Sequence, residues 1–185
     1  MSEELPSLQT GNLVLRPLQA ADAPALHRIY QSDGVLRYFP NSNPPPLAKV
    51  ERFIAGQQAH WAKFGYGNWG IMIRDVDEPP GEVAGWAGLQ YLPELEEAEV
   101  GFLLDRPFWG KGYGTQAAMA SLRFGFEGCQ LDHIIALVHP ENRASQRVIE
   151  KCAMAYVDSL ELWGMGLQRY RINKGEFTGE ISSLL

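Results

Sequence analysis

The apolar residues of this chain fall into short segments whose spacing predicts alternating strands and helices. Leu13, Leu15 and Leu18 sit in LVLRPL, whose alternation suggests a first strand. Asp22 stands where it caps a helix over roughly 22–32, and Pro24 is tolerated in that helix's first turn. The next stretch, FPNSNPPP at 39–46, holds three consecutive prolines and is excluded from a helix interior. Val50, Phe53, Ile54 and Trp61 form one stripe and predict a second helix over about 47–64, ended by GYGN at 65–68. WGIMIR (69–74), EVAGWAGLQYL (82–92) and AEVGFLL (98–104) read as three strands of an antiparallel meander, with DVDEPPG (75–81) as a turn. Ala118, Leu122 and Phe126 recur every fourth residue, so 115–127 reads as a helix. HIIALV, 133–138, is a continuous apolar run typical of a strand buried on both faces. A short helix over 143–152 and two strands between Tyr156 and Asn173 complete a mixed α/β sheet, and 175–185 reads as a loose end. No repeat and no linker divides the chain, so residues 1–185 are expected to be a single domain.

Composition narrows the function classes. Hydrophobic residues make up 45% and charged residues 21% of the chain, close to the globular average and enough for a sizeable core. Sixteen Lys and Arg against 22 Asp and Glu give a net charge of −6. That argues against a non-specific nucleic-acid binder and leaves room for a local basic pocket. Cys129 and Cys152 are too few for a disulfide framework and read as small core hydrophobes in a reduced compartment. His27, His60, His133 and His139 show neither HxxxH nor CxxC spacing, so no metal site is expected. The polar, acidic start MSEELPSLQT is not a signal peptide, and no apolar run approaches the ~18 residues of a membrane helix. The expectation is a soluble cytoplasmic protein with neither nucleic-acid nor membrane partners.

The chemistry concentrates in EAEVGFLLDRPFWGKGYGT, 97–115, where a strand leads through a loop into a helix. Gly110, Gly112 and Gly114 let the backbone approach an anion, and the free N–H groups of the helix start point at it. The same glycines equally suit an ordinary turn. A Walker A loop is excluded because Lys111 is followed by Gly112 rather than Ser or Thr. GYGTQA, 112–117, formally fits the dinucleotide pattern GxGxxA, and Asp132 stands twenty residues after Gly112. Asp132, however, precedes the next strand instead of ending it, and DRPFW makes the loop too long for that fold's tight turn.

WGKGYGTQA, 109–117, resembles the acetyl-CoA loop of the GNAT acyltransferase superfamily. Trp109 stands where Gln or Arg is common, a departure typical of the Rim-type ribosomal-protein N-terminal acetyltransferase branch. LVLRPLQAADAPAL (13–26), AEVGFLL (98–104) and HPENRASQRVIEKC (139–152) extend the likeness over about 8–175. The resemblance implies a mixed α/β fold with a mostly antiparallel sheet, flanked by helices, in which strands 98–104 and 133–138 run parallel and splay apart. Acetyl-CoA would lie in that gap, its pantetheine bonded by the main chain of Gly101, Phe102, Leu103 and Leu104. Trp109 and Gly110 would lead into the pyrophosphate cradle of Lys111, Gly112, Tyr113, Gly114 and Thr115, although the Lys111 side chain equally suits solvent. Asn142 would bond the cofactor arm while also capping the next helix, with Ser145 three residues on. Arg143, Arg147 and Lys151 form a basic stripe, either solvated or facing the adenosine phosphates.

The resemblance implies acetyl transfer to a primary amine by direct attack, without an acyl-enzyme. The acceptor would be a protein or peptide N-terminus or a small-molecule amine, and a non-catalytic acyl-CoA-binding domain is the alternative. Many GNAT members carry a tyrosine seven residues after the Asn as acid for the thiolate. Ile149 stands there, and the branch points to Ser145 instead. Glu99 and Glu161 are candidate bases, or else ordinary surface carboxylates. Glu94, Glu96, Glu97 and Glu99 would draw a cation or form a solvated turn. By analogy Tyr38, Phe39, Tyr66 and Trp69 would flank the acceptor entrance. Ala153 replaces the glycine that usually closes the last helix, so a different helix end is expected there. Monomer and homodimer both remain open.

Overall fold

The computed structural model of the chain describes residues 5–74 and 81–181. The predicted turn at 75–81 therefore falls almost wholly outside the described residues. One eight-stranded sheet runs in the order β1-β2-β3-β4-β5-β6-β8-β7. Its strands are β1 (Leu8–Thr10), β2 (Leu13–Pro17), β3 (Asn68–Ile73), β4 (Gly85–Leu92), β5 (Glu97–Leu104), β6 (His133–Val138), β7 (Ala155–Leu162) and β8 (Met165–Asn173). The helices are α1 (Ala23–Gln31), α2 (Leu47–Phe64), α3 (Tyr113–Arg123) and α4 (Arg143–Lys151). The mixed α/β fold read from the sequence is the fold observed. The three-residue β1 lies outside that reading, being too short to carry a period of its own.

Two apolar layers cover the sheet. Leu18, Leu26, Ile29, Val50, Ile54 and Leu103 bind α1 and α2 to one face. Leu89, Val100, Leu104, Ala118, Leu122, Ile134 and Ile149 bind α3 and α4 to the other. Along β5, odd-numbered residues therefore face α1 and α2, and even-numbered residues face α3 and α4.

Every neighbouring pair of strands is antiparallel except β5–β6, where a single registered pair, Glu99 opposite Ile135, joins the two parallel strands. On its other edge β5 is paired with β4 along its whole length, from Glu97 opposite Leu92 to Leu104 opposite Gly85. The sheet thus forks beyond Glu99, leaving the second half of β5 without a strand partner on the β6 side.

Four local expectations change. Asp22 stands at the start of α1, but its buried carboxylate accepts from Arg16 at 2.7 and 2.8 Å and from the Gln19 N–H at 2.8 Å. A charged bidentate partner outcompetes the helix N–H groups. The helix expected over 115–127 starts at Tyr113 and ends in a wide turn over Phe124–Gly128. After α4, Ala153 adopts φ 59° despite its Cβ. Its N–H donates to Glu150 O at 2.9 Å, and Met154 N–H donates to Ile149 O at 3.2 Å. This is the usual glycine closure made with alanine, with Met154 and Ile149 both buried beneath it. The described part of the tail is anchored rather than loose. Phe177 packs on Phe126 with centroids 5.0 Å apart, and Arg123 donates to Gly179 O at 3.0 Å.

Candidate active site

The fork opens into a cleft of about 1140 Å³. Its floor is Phe102, Leu103 and Leu104 of β5. One wall is the loop from Trp109 into α3, together with the first turns of α4. The other is the end of α1 and the segment after it, Tyr30 to Phe39. The volume exceeds the roughly 300–1,000 Å³ typical of a site for one small ligand.

Gly112 is the pivot of the first wall. It precedes α3 with φ 81° and ψ −1°, a left-handed conformation that costs a residue with a Cβ. A Cβ added there meets nothing within 4 Å, so conformation and the open cleft, rather than packing, call for glycine. The first helical bond of α3 runs from Gln116 N–H to Gly112 O at 3.1 Å. The preceding N–H groups, Tyr113 to Thr115, find no main-chain acceptor among the described residues and stand at the cleft wall. Such a cluster at the positive end of a helix dipole suits a pyrophosphate. Arg143, Arg147 and Lys151 all line the same wall, which puts the basic stripe of an acidic protein where phosphates would lie.

Most of the expected cofactor residues meet here. Phe102, Leu103, Leu104, Trp109, Gly110, Gly112, Tyr113, Gly114, Thr115, Asn142 and Ser145 all line the cleft. Gly101 sits one position deeper in β5, and Lys111 turns outward over the Phe108 ring at 5.8 Å. Trp109 has a further role. Its indole Nε1 donates to Leu104 O at 2.7 Å, so that carbonyl is already satisfied at the end of the open strand. Asn142 caps α4, its Oδ1 accepting from Ser145 N–H at 3.1 Å. The Ser145 hydroxyl is half-buried and has no hydrogen-bond partner among the described residues.

The two candidate bases separate. Glu99 lies at the fork itself, and its carboxylate accepts from Leu137 N–H on the diverging strand at 3.3 Å. Glu99 is half-buried. Burial pushes its pKa up to about 7, against the pull of the Leu137 N–H. Glu161 lies exposed on the edge strand β7 opposite Gly166; neither it nor Glu99 is among the residues that line the cleft itself.

Other acidic and aromatic expectations resolve differently. Glu97 is buried and bonded to Arg171, to Arg169 at 3.0 Å and to His133 at 3.1 Å, and its pKa lies below the usual value. Although burial works in the opposite direction, the two guanidiniums prevail. Glu94 accepts from Trp163 Nε1 at 3.1 Å. Glu97 is therefore neutralised by its partners rather than left to attract a cation. Tyr38 and Phe39 line the cleft, whereas Tyr66 and Trp69, 4% and 0% exposed, belong to the core. Sequence spacing cannot separate a core ring from a cleft ring when both adjoin strands. Burial raises the thiol pKa of both cysteines, Cys152 to about 12, so neither offers a thiolate for a covalent intermediate.

Two cross-cleft contacts escape the sequence because they join distant segments. Tyr38 stacks on His139 with centroids 5.1 Å apart, and Asp33 pairs with Arg106. His139 Nδ1 accepts from Glu141 N–H at 3.2 Å.

The comparisons agree with this architecture. The family model described as an acetyltransferase (GNAT) domain matches residues 12–155. The Bacillus subtilis protein YoaA, described as an uncharacterized N-acetyltransferase, is 28% identical over 147 residues, 79% of this chain and 81% of its own. An acetyltransferase crystal structure from Agrobacterium tumefaciens is 30% identical with a TM-score of 0.77, covering 94% of this chain and 97% of that one. RimL, a ribosomal alpha-N-protein acetyltransferase solved with coenzyme A, shares the fold at 18% identity and a TM-score of 0.73, over 91% of this chain and 97% of its own. Since the matched model spans most of the chain and the forked sheet carries its cleft, this chain belongs to the GNAT family of acetyl-CoA-dependent acetyltransferases.

Proposed function

We propose that the protein transfers the acetyl group of acetyl-CoA to a primary α-amine by direct attack, with Glu99 as the base. The observation that carries this reading is a half-buried carboxylate at the fork of β5 and β6, on the strand that leads into the loop and the cradle of free helix N–H groups. The α3 N-terminus and the α4 cations hold the phosphates, and the open main chain of β5 accepts the pantetheine arm as an added strand.

An α-amine has a pKa of about 7.7–8.0 and a lysine amine one of about 10.4. A carboxylate with a pKa of about 7 is matched to the first far better than to the second. The neutral amine attacks the thioester carbonyl, the C–S bond breaks, and the surplus proton of the nitrogen passes to Glu99, directly or through a water. A main-chain N–H of β5 stabilises the developing oxyanion. Acetyl-CoA-dependent thiol release, measured across peptides and small amines, tests the reading. Acetyl-CoA binding without release on any amine would make the protein an acyl-CoA-binding domain instead.

Ser145 has a role of its own. Its unpartnered hydroxyl lines the cleft, placed to donate a hydrogen bond to the departing sulfur. A thiolate of pKa ~8.5 leaves fairly well unaided, so Ser145→Ala is expected to lower kcat roughly 10–100-fold, about 1.4–2.7 kcal/mol. Acetyl-CoA affinity stays close to wild type. The Asn142 cap uses the Ser145 main chain and survives the substitution, so the melting temperature stays unchanged. An unaltered kcat beside a lowered melting temperature would remove Ser145 from the chemistry.

A further inference from the structure

The wall opposite the phosphate cradle contains a phenol that the steps above do not use. Tyr30, at the end of α1, lines the cleft, and its hydroxyl oxygen accepts from Trp86 Nε1 at 3.0 Å. An indole N–H can only donate, so the phenol serves Trp86 as acceptor and its own O–H proton is left over. Among the described residues nothing accepts that proton. Burial pushes the phenol's pKa up to about 12, so it keeps the proton at any working pH.

Trp86 ties Tyr30 to the reacting face. It lies on β4 opposite Leu103, and the far edge of its ring is 3.3 Å from where a Cβ on Gly101 would stand. Gly101 lacks a side chain at the place where that ring leans over β5. Glu99, Gly101 and Leu103 alternate onto the face covered by α1 and α2. The phenol, the indole and the candidate base thus share one side of the forked strand, while Gly114 and Val148 adjoin Phe102 on the other. The phosphate-binding features all belong to that other side.

From this division we infer that Tyr30 is a specificity-determining hydrogen-bond donor to the acceptor substrate, selecting amines that carry a carbonyl oxygen a few atoms from the nitrogen. The inference rests on the acetyl-transfer reading and deepens it. An amine without such an oxygen leaves the phenol proton buried and unpaired, which a site built for hydrogen bonding penalises. Phe53, with its ring centroid 6.0 Å from that of Trp86, packs against the indole that holds the phenol oxygen.

The test compares Ala-Ala amide with hexylamine as acceptors, reading kcat/KM by thiol release for wild type and Tyr30→Phe, with acetyl-CoA affinity by calorimetry. Wild type is expected to prefer the amide by about tenfold or more, and Tyr30→Phe to bring that ratio down towards unity. Equal use of both amines by wild type overturns the inference whether or not the variant folds. So does a Tyr30→Phe enzyme that loses rate equally on both, since Tyr30 would then only brace Trp86. Acetyl-CoA binding with turnover of neither amine also overturns it while leaving the cofactor site intact. Failure to bind acetyl-CoA removes the acetyl-transfer reading itself.

Discussion

Glu99→Gln is expected to lower kcat/KM at pH 7 by roughly 10²–10⁴-fold while making the protein more stable. The two effects have one origin. Burial raises the folded-state pKa of this carboxyl from its ordinary 4.5 to about 7. A raised carboxyl pKa means that the folded state favours the protonated form. Stability is therefore fully present below about pH 4.5 and is lost as pH rises towards 7, where the charge must be held in the fork. Glutamine keeps the shape, still accepts from Leu137 N–H and never ionises. At pH 8 the variant should exceed wild type by on the order of 2–3 kcal/mol, a rise of several degrees in melting temperature. At pH 4 the difference should vanish. The activity loss should shrink at high pH, where the amine is already neutral. Glu161→Gln, on the exposed edge strand, should stay within about twofold of wild type. Wild-type rates for Glu99→Gln across the pH range would leave the amine to arrive deprotonated without a protein base.

The second large effect is expected at Gly112. Gly112→Val should weaken acetyl-CoA binding at least about 100-fold and cost about 1–3 kcal/mol of stability, because a β-branched residue is forced to φ 81°. No neighbouring protein atom lies within 4 Å of the new Cβ, so the loss of affinity reports on the ligand's space rather than on disturbed packing. Calorimetry and a melting curve on the same variant separate the two effects. Unchanged affinity with a lowered melting temperature would show that the loop does not hold the phosphates.

These two residues illustrate what was legible in the sequence. Gly112 stands out because its loop has a local signature, with glycines at fixed spacing between a strand and a helix. The same is true of Asn142 and Ser145, whose relation is contained in one helix start. Glu99 and Glu161 cannot be told apart from the sequence alone, since each is one carboxylate on one strand. What separates them is strand order, which sets Glu99 at the fork and Glu161 at the sheet edge. Tyr66 and Trp69 mislead for the same reason. Tyr30 carries no local signal at all, because Trp86, its partner, is 56 residues away. Ala153 shows a different limit. A sequence rule forbids the left-handed backbone there, yet the buried Ile149–Met154 closure outweighs a cost of about 1–2 kcal/mol.

The single registered pair between β5 and β6 also divides the molecule mechanically. Strands β1 to β5 and strands β6 to β8 are each continuously laddered, while the seam between them depends on Glu99 opposite Ile135, on the Glu97 bonds to His133, Arg169 and Arg171, on the Glu99 carboxylate at Leu137 N–H and on the packing of α3 and α4. On the proposed reading, a ligand lying along that seam would supply main-chain bonds that the polypeptide omits, and the substrate would complete the protein's own sheet. Occupancy then becomes a folding term: at one hundred times its dissociation constant a ligand adds about 2.7 kcal/mol to global stability. The gain should be localised as slowed amide exchange at Val100, Phe102 and Leu104, the alternate β5 positions whose N–H groups point away from β4.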